Sequence, residues 1–101
     1  MIEALGIIET IGFTTAIQAA DAAVKSANIK LGHWVKVGGG KVNIIIRGDV
    51  AAVKAAVEAG VQAASRIGTV ESEVIIPRPS DKLASKFPIE PIKIEKKKST
   101  K

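Results

Sequence analysis

The chain contains no cysteine, and its 101 residues hold a single histidine and only three aromatic side chains, Phe13, Trp34 and Phe87. No disulfide framework can form, and no thiolate can act as nucleophile or metal ligand. With His33 alone, a zinc site or a Ser/His triad lacks the imidazoles it needs. Long apolar runs are also missing, the longest being a few residues against the ~20 that span a bilayer. Met1-Ile2-Glu3 opens the chain without a basic stretch, so no signal peptide is expected. A hydrophobic content of 47% excludes a mainly disordered chain. What is expected is one small soluble intracellular domain with no catalytic residues, no metal site, no cofactor and no membrane partner.

The formal charge of +5 is unevenly placed. Residues 1–79 carry five Lys and three Arg against seven acidic side chains, whereas residues 80–101 carry seven Lys against Asp81, Glu90 and Glu95. The division predicts a domain over 1–79 and a lysine-rich, extended or mobile tail over 80–101, with Pro88, Pro91 and Lys96-Lys97-Lys98 in it. A basic arm can bind phosphate backbones, but a solvated tail accounts for the same composition, and no nucleic-acid partner is expected.

Periodicity orders the body. Residues 2–9 form an apolar run that suits a buried strand, broken at Thr10-Ile11-Gly12. Over 13–28, Phe13, Ile17, Ala20, Val24 and Ala27 recur at helical spacing and predict a core-facing stripe. Thr14, Gln18, Asp21, Lys25 and Asn28 follow the same spacing on a polar face. Strands are expected at 29–37 and 41–47, joined by Gly38-Gly39-Gly40, whose residues tolerate the positive φ of a hairpin loop. Asp49 is placed to cap a helix over 50–66, with Val50, Val53, Val57, Val61 and Ala64 inward. Gly68 ends it, and a last strand over 69–76 stops at Pro77-Arg78-Pro79. The resulting βαββαβ order is an α+β, ferredoxin-like sandwich, one sheet with two helices on one face.

Such a core, about 76 residues long, supplies only ~3–5 kcal/mol unless a disulfide, a metal or an oligomer staples it. Self-association is the device left, and the alanine-rich helices offer small-residue surfaces for close contact between subunits.

Isolated motifs carry no chemistry. Gly38-Gly39-Gly40-Lys41 enters a strand at Val42 and so is no phosphate loop, though a loop without side chains can line a narrow passage with backbone N–H groups. Arg47-Gly48-Asp49 spans a strand end and a helix cap. His33 suits a surface or interface position, and Trp34 an edge or subunit contact. An RNA-recognition sheet needs aromatics where this chain has Val42-Asn43-Ile44-Ile45-Ile46. Glu3, Glu9, Glu71 and Glu73 bracket or line strands with no nucleophile or metal ligand beside them, so no active site is expected.

Several blocks, in order, carry a family resemblance: Glu3-Ala4-Leu5-Gly6-Ile7-Ile8-Glu9-Thr10, Ala19–Asn28, Lys36-Val37-Gly38-Gly39-Gly40, Ile46–Val50 and Ile76-Pro77-Arg78-Pro79. Over about residues 3–79 the chain resembles the single-domain hexameric shell proteins of bacterial microcompartments, whose relatives build metabolosomes and carboxysomes. The resemblance implies a non-enzymatic structural subunit in the bacterial cytoplasm, assembled as a cyclic homohexamer that tiles edge to edge. It implies other shell proteins and encapsulated enzymes as partners. Lys36, Val37, Gly38, Gly39 and Gly40 would line a central pore for small polar metabolites, and Lys25, Asn28 and Arg78 would form the edge between hexamers. Gly39 stands where many relatives have serine, which widens the implied opening and removes hydroxyl donors. Lys41 would add positive charge near its mouth. From another class, a small oligomeric regulatory or ligand-binding ferredoxin-like domain fits the same fold, and a protein binding nucleic acid through the tail is a third reading.

Overall fold

Two split βαβ units interlock in a computed structural model that describes residues 3–86, apart from the side chains of His33 and 84–86. The elements run β1 (Ala4–Ile11), α1 (Phe13–Ser26), β2 (Lys30–Val37), β3 (Lys41–Gly48), α2 (Val50–Ser65), β4 (Val70–Ile76) and α3 (Asp81–Lys86). The sheet order is β2-β3-β1-β4, and every neighbouring pair is antiparallel. β3 thus lies between β1 and β2, and β1 between β3 and β4, the ferredoxin-like arrangement expected from the element order.

Alternation along β3 divides the two faces of the sheet. Val42, Ile44 and Ile46 enter the main core with Ile8 of β1 and with Val53, Ala56 and Val57 of α2. Ile45 turns to the opposite face and packs there with Leu5. β1 runs on to Ile11, two residues beyond the expected end at residue 9, and the Thr10 hydroxyl is buried and donates to the carbonyls of Gly12 (3.2 Å) and Val42 (3.4 Å). A polar side chain that satisfies itself on backbone can sit inside a strand. The break comes at Gly12, the last residue of the expected Thr10-Ile11-Gly12 interruption, with φ of 89°.

Of the stripe expected to face the core from α1, Ala20 is buried and Ala27 packs against the core, but the large members do not face it: Phe13 and Ile17 are each 47% exposed and Val24 43%. Thr15, Ala16, Ala19 and Ala23 are buried beside Ala20 instead. Periodicity identifies a helix but leaves the choice between adjacent apolar faces open. Here close approach decides it: a Cβ on Gly60 of α2 would lie 2.9 Å from the Ala19 carbonyl oxygen, so only small residues fit where the two helices meet. For the same reason Ala56, Ala63 and Ala64 of α2 are buried within the chain, while Ala51 and Ala55 remain exposed on its outer side. Val53 and Val57 are buried as expected, while Val50 is exposed.

α1 stops at Ser26, and Ala27 is extended (φ −155°, ψ 161°), so Asn28 lies in the link to β2 and not on the polar helical face expected for it. α2 begins as expected, the Asp49 carboxylate accepting from the Ala52 N–H at 2.9 Å. The lysine-rich segment opens with the short helix α3, where an extended or mobile chain is expected. Ser80 Oγ accepts from the Leu83 N–H at 3.1 Å, and Leu83 of α3 packs against the Leu5–Ile45 cluster on the second face. Asp81–Lys86 is therefore anchored by one apolar residue that the charge count obscured. The rest of the expected tail, 87–101, lies outside the described residues.

Candidate functional site

The residues singled out from the sequence fall into two groups at opposite ends of the strands. One end carries the β2–β3 turn. Val37 pairs with Lys41 across it, and the intervening Gly38, Gly39 and Gly40 are all exposed. Gly39 (φ 76°) and Gly40 (φ 78°) occupy the left-handed region that glycine enters without penalty. Among the described residues no neighbouring atom lies within 4 Å of where a Cβ would stand on any of the three, so the turn projects from the described body. Its base is held firmly, since the Gly12 N–H donates to the Gly40 carbonyl at 2.7 Å. The neighbouring reversal is tied in by the Ile11 N–H, which donates to the Thr69 carbonyl at 3.0 Å. Lys36 is exposed two residues before the turn. Lys41, expected to add positive charge there, instead lies 3.9 Å from a Glu71 carboxylate oxygen, so part of its field is offset.

The other end is about 25 Å away, the length of an eight-residue strand at ~3.3 Å per residue. Lys30 pairs with Arg47 there, and the strands open onto a pocket of about 640 Å³. Asn28 and Arg78 both line it, so the structure brings these two together from segments 50 residues apart in the chain. Lys25 is not among the lining residues. It sits in the last turn of α1, with its side chain 74% exposed and its ammonium 2.9 Å from Asp21 one turn earlier. An exposed pair of this kind contributes about 0.3–0.5 kcal/mol, too little to explain Lys25 by stability.

A further residue organises this pocket and was read from the sequence only as bracketing a strand. Glu3 places one carboxylate oxygen 2.8 Å from Arg47 Nη2 and the other 3.1 Å from Lys30 Nζ. The carboxylate therefore joins the start of β1 to β2 and β3. Its signal in the sequence was slight: an acidic residue just before a strand gives no hint of which two cations the sheet register will bring to it. Among the described residues, no group of three His, Cys, Asp or Glu side chains is placed to hold a metal ion. Among them, too, no helix is long and apolar enough to cross a membrane.

The chain that carries this turn and this pocket matches a known family in sequence and in fold. The BMC domain model matches residues 4–79. Among curated relatives, the bacterial microcompartment shell protein PduA of Citrobacter freundii is 57% identical over 77 residues, covering 76% of this chain and 83% of that protein. The shell protein EutM of Salmonella typhimurium is 52% identical over 87 residues (86% of this chain, 91% of that protein). The carboxysome shell protein CcmK2 of Synechococcus elongatus is 47% identical over 88 residues (85% of this chain, 86% of that protein). A solved microcompartment protein from Desulfitobacterium hafniense superposes with a TM-score of 0.78 at 42% identity, covering 84% of this chain; the chain spans about half, 48%, of that protein's length. With a family model over the whole ferredoxin-like body and relatives this similar along most of their own length, the chain belongs to the BMC domain family.

Proposed function

We propose that this protein is a structural, non-enzymatic subunit of a bacterial microcompartment shell in the cytoplasm, working as a perforated tile. Six copies close into a ring with the Gly38–Gly40 turns around the axis and Lys25, Asn28 and Arg78 on the outer rim. Rings meet rim to rim to form a sheet, alone or with other shell proteins, around encapsulated enzymes.

The observation that carries this reading is the separation of the two groups along the strands. A ring needs one end of each subunit at its axis and the other at its rim, and the strands give that radial direction. The axial end suits a passage. Six turns without side chains present backbone N–H dipoles to the opening, a weakly electropositive lining for small polar or anionic metabolites. Lys36 and Val37 form its shoulder, and Gly39 leaves the narrowest point wide. At the rim, an exposed lysine with a long aliphatic stem can lie along its counterpart from the next ring while its ammonium reaches a carbonyl. The planar guanidinium of Arg78 adds directed donors.

Negative-stain micrographs of the purified chain test the reading. Six-fold discs that associate into flat sheets or tubes are expected. A field of small particles without six-fold class averages overturns it.

A further inference from the structure

Hydrogen-bonding capacity is unevenly spent in the pocket of about 640 Å³ at the Asn28–Arg78 end of the strands. Its described lining carries two carboxylates, and both are engaged within the chain. Glu3 directs one oxygen to Arg47 Nη2 at 2.8 Å and the other to Lys30 Nζ at 3.1 Å. Asp49 gives Oδ1 to the Ala52 N–H at 2.9 Å, and its charge lies at the positive end of the α2 dipole. The donors are not used up in the same way. Among the described residues, Arg78 makes no ion pair, and neither its guanidinium nor the Asn28 amide is hydrogen-bonded within the chain. The Lys30 ammonium has three N–H donors, and its side chain is 58% exposed beside the one contact it makes with Glu3.

We infer that this pocket binds a small organic anion, a carboxylate or phosphate group on a short aliphatic body. The planar, five-donor fork of Arg78 matches either head group two-pronged, and Lys30 and the Asn28 NH2 add donors from the facing segment. Gly48, Asp49 and Val50 border the pocket where α2 begins, so the N–H groups of its first turn that have no partner in the helix add a field of the same sign. Arg47 stays with Glu3 and contributes charge at a distance. Size and walls define the rest of the ligand. A bare phosphate leaves most of this volume empty, whereas sites for small organic ligands span ~300–1,000 Å³. Ala4, Ile29, Val50 and Pro77 supply the apolar wall that an aliphatic chain can cover. The same inventory argues against a metal cation, since both carboxylates are engaged and no group of three His, Cys, Asp or Glu forms among the described residues. All of these side chains belong to one copy, so the site goes beyond the ring reading and does not depend on it.

Isothermal titration calorimetry tests the site on the 101-residue chain, under conditions where light scattering shows no sheets. Butyrate or butyl phosphate should bind saturably, one molecule per chain, and the tighter of the two names the head group. Inorganic phosphate and 1-butanol each lack half of the ligand and should bind at least about tenfold more weakly. Arg78 is exposed, so Arg78→Gln should keep the circular dichroism spectrum and weaken binding about tenfold or more. Arg66→Gln removes the same charge at the far end of α2 and should leave the affinity unchanged. The assignment is wrong if neither organic anion binds saturably up to the millimolar range, if Arg78→Gln binds as the unmodified chain does, or if both arginine variants lose affinity equally. Inorganic phosphate binding as tightly as butyl phosphate would likewise overturn it.

Discussion

The Gly12 N–H donates to the Gly40 carbonyl at 2.7 Å, pinning the open glycine turn to the reversal that starts α1. Both residues have positive φ, and neither has any atom near its missing Cβ. The turn is held by backbone geometry alone. Gly40→Ala should therefore destabilise the chain by about 1–2 kcal/mol through left-handed strain, with no steric clash. Urea denaturation checks this: the midpoint should fall with an unchanged slope.

At Gly39 the same open surroundings predict a different outcome. A bulky replacement such as Gly39→Leu points into the proposed opening, so assembly should persist while passage narrows. Metabolite flux through intact shells should drop. Unchanged flux would show that these turns do not line the passage.

Glu3 joins Arg47 at 2.8 Å and Lys30 at 3.1 Å, and Arg47 retains only 13% of its side-chain exposure. Glu3→Gln keeps the volume and removes the charge those two cations share. A loss of about 1.5–3 kcal/mol is expected, the range for hydrogen bonds to charged groups. Thermal unfolding measures it, and Lys30→Gln at the more exposed cation should lower stability less.

How much of this could be read from the sequence depended on which kind of information each feature carries. Helix and strand periods are local, so the element order, the β2–β3 turn and the Asp49 cap were legible. The choice of buried face on α1 was not, because two apolar faces share one period. Contact with Gly60 of α2 selected the alanines and left Phe13, Ile17 and Val24 outside. Register brings Asn28 to Arg78, Glu3 to Arg47 and Lys41 to Glu71, and register is a property of the sheet, invisible in any single segment. The roles proposed for Lys25 and the glycine turn rest on the family blocks; periodicity alone marks Lys25 as a solvated helix residue. α3 escaped notice because Leu83 is one apolar residue within a charged stretch.

Gly60 gives a packing prediction. A methyl group there would sit 2.9 Å from both the Ala19 carbonyl oxygen and Ile8 Cδ1. The isoleucine tip can move, but the backbone of α1 cannot move without shifting the helix. Gly60→Ala should cost about 1–3 kcal/mol despite the better helix propensity of alanine. Equal stability by denaturant titration would mean that the helices separate more easily than this contact implies.

The rim position proposed for Lys25 can be tested apart from ring formation. Its ion pair with Asp21 is exposed, so Lys25→Asp should leave the fold and the oligomer mass intact while abolishing sheets and tubes in micrographs. Normal sheets from this variant would remove Lys25 from the rim.

The account stands or falls on the number of copies that associate. Static light scattering on the purified 101-residue chain at micromolar concentration measures that number directly. Six times the 10.5 kDa chain mass is predicted, stable to dilution. A single chain mass under the same conditions would contradict it.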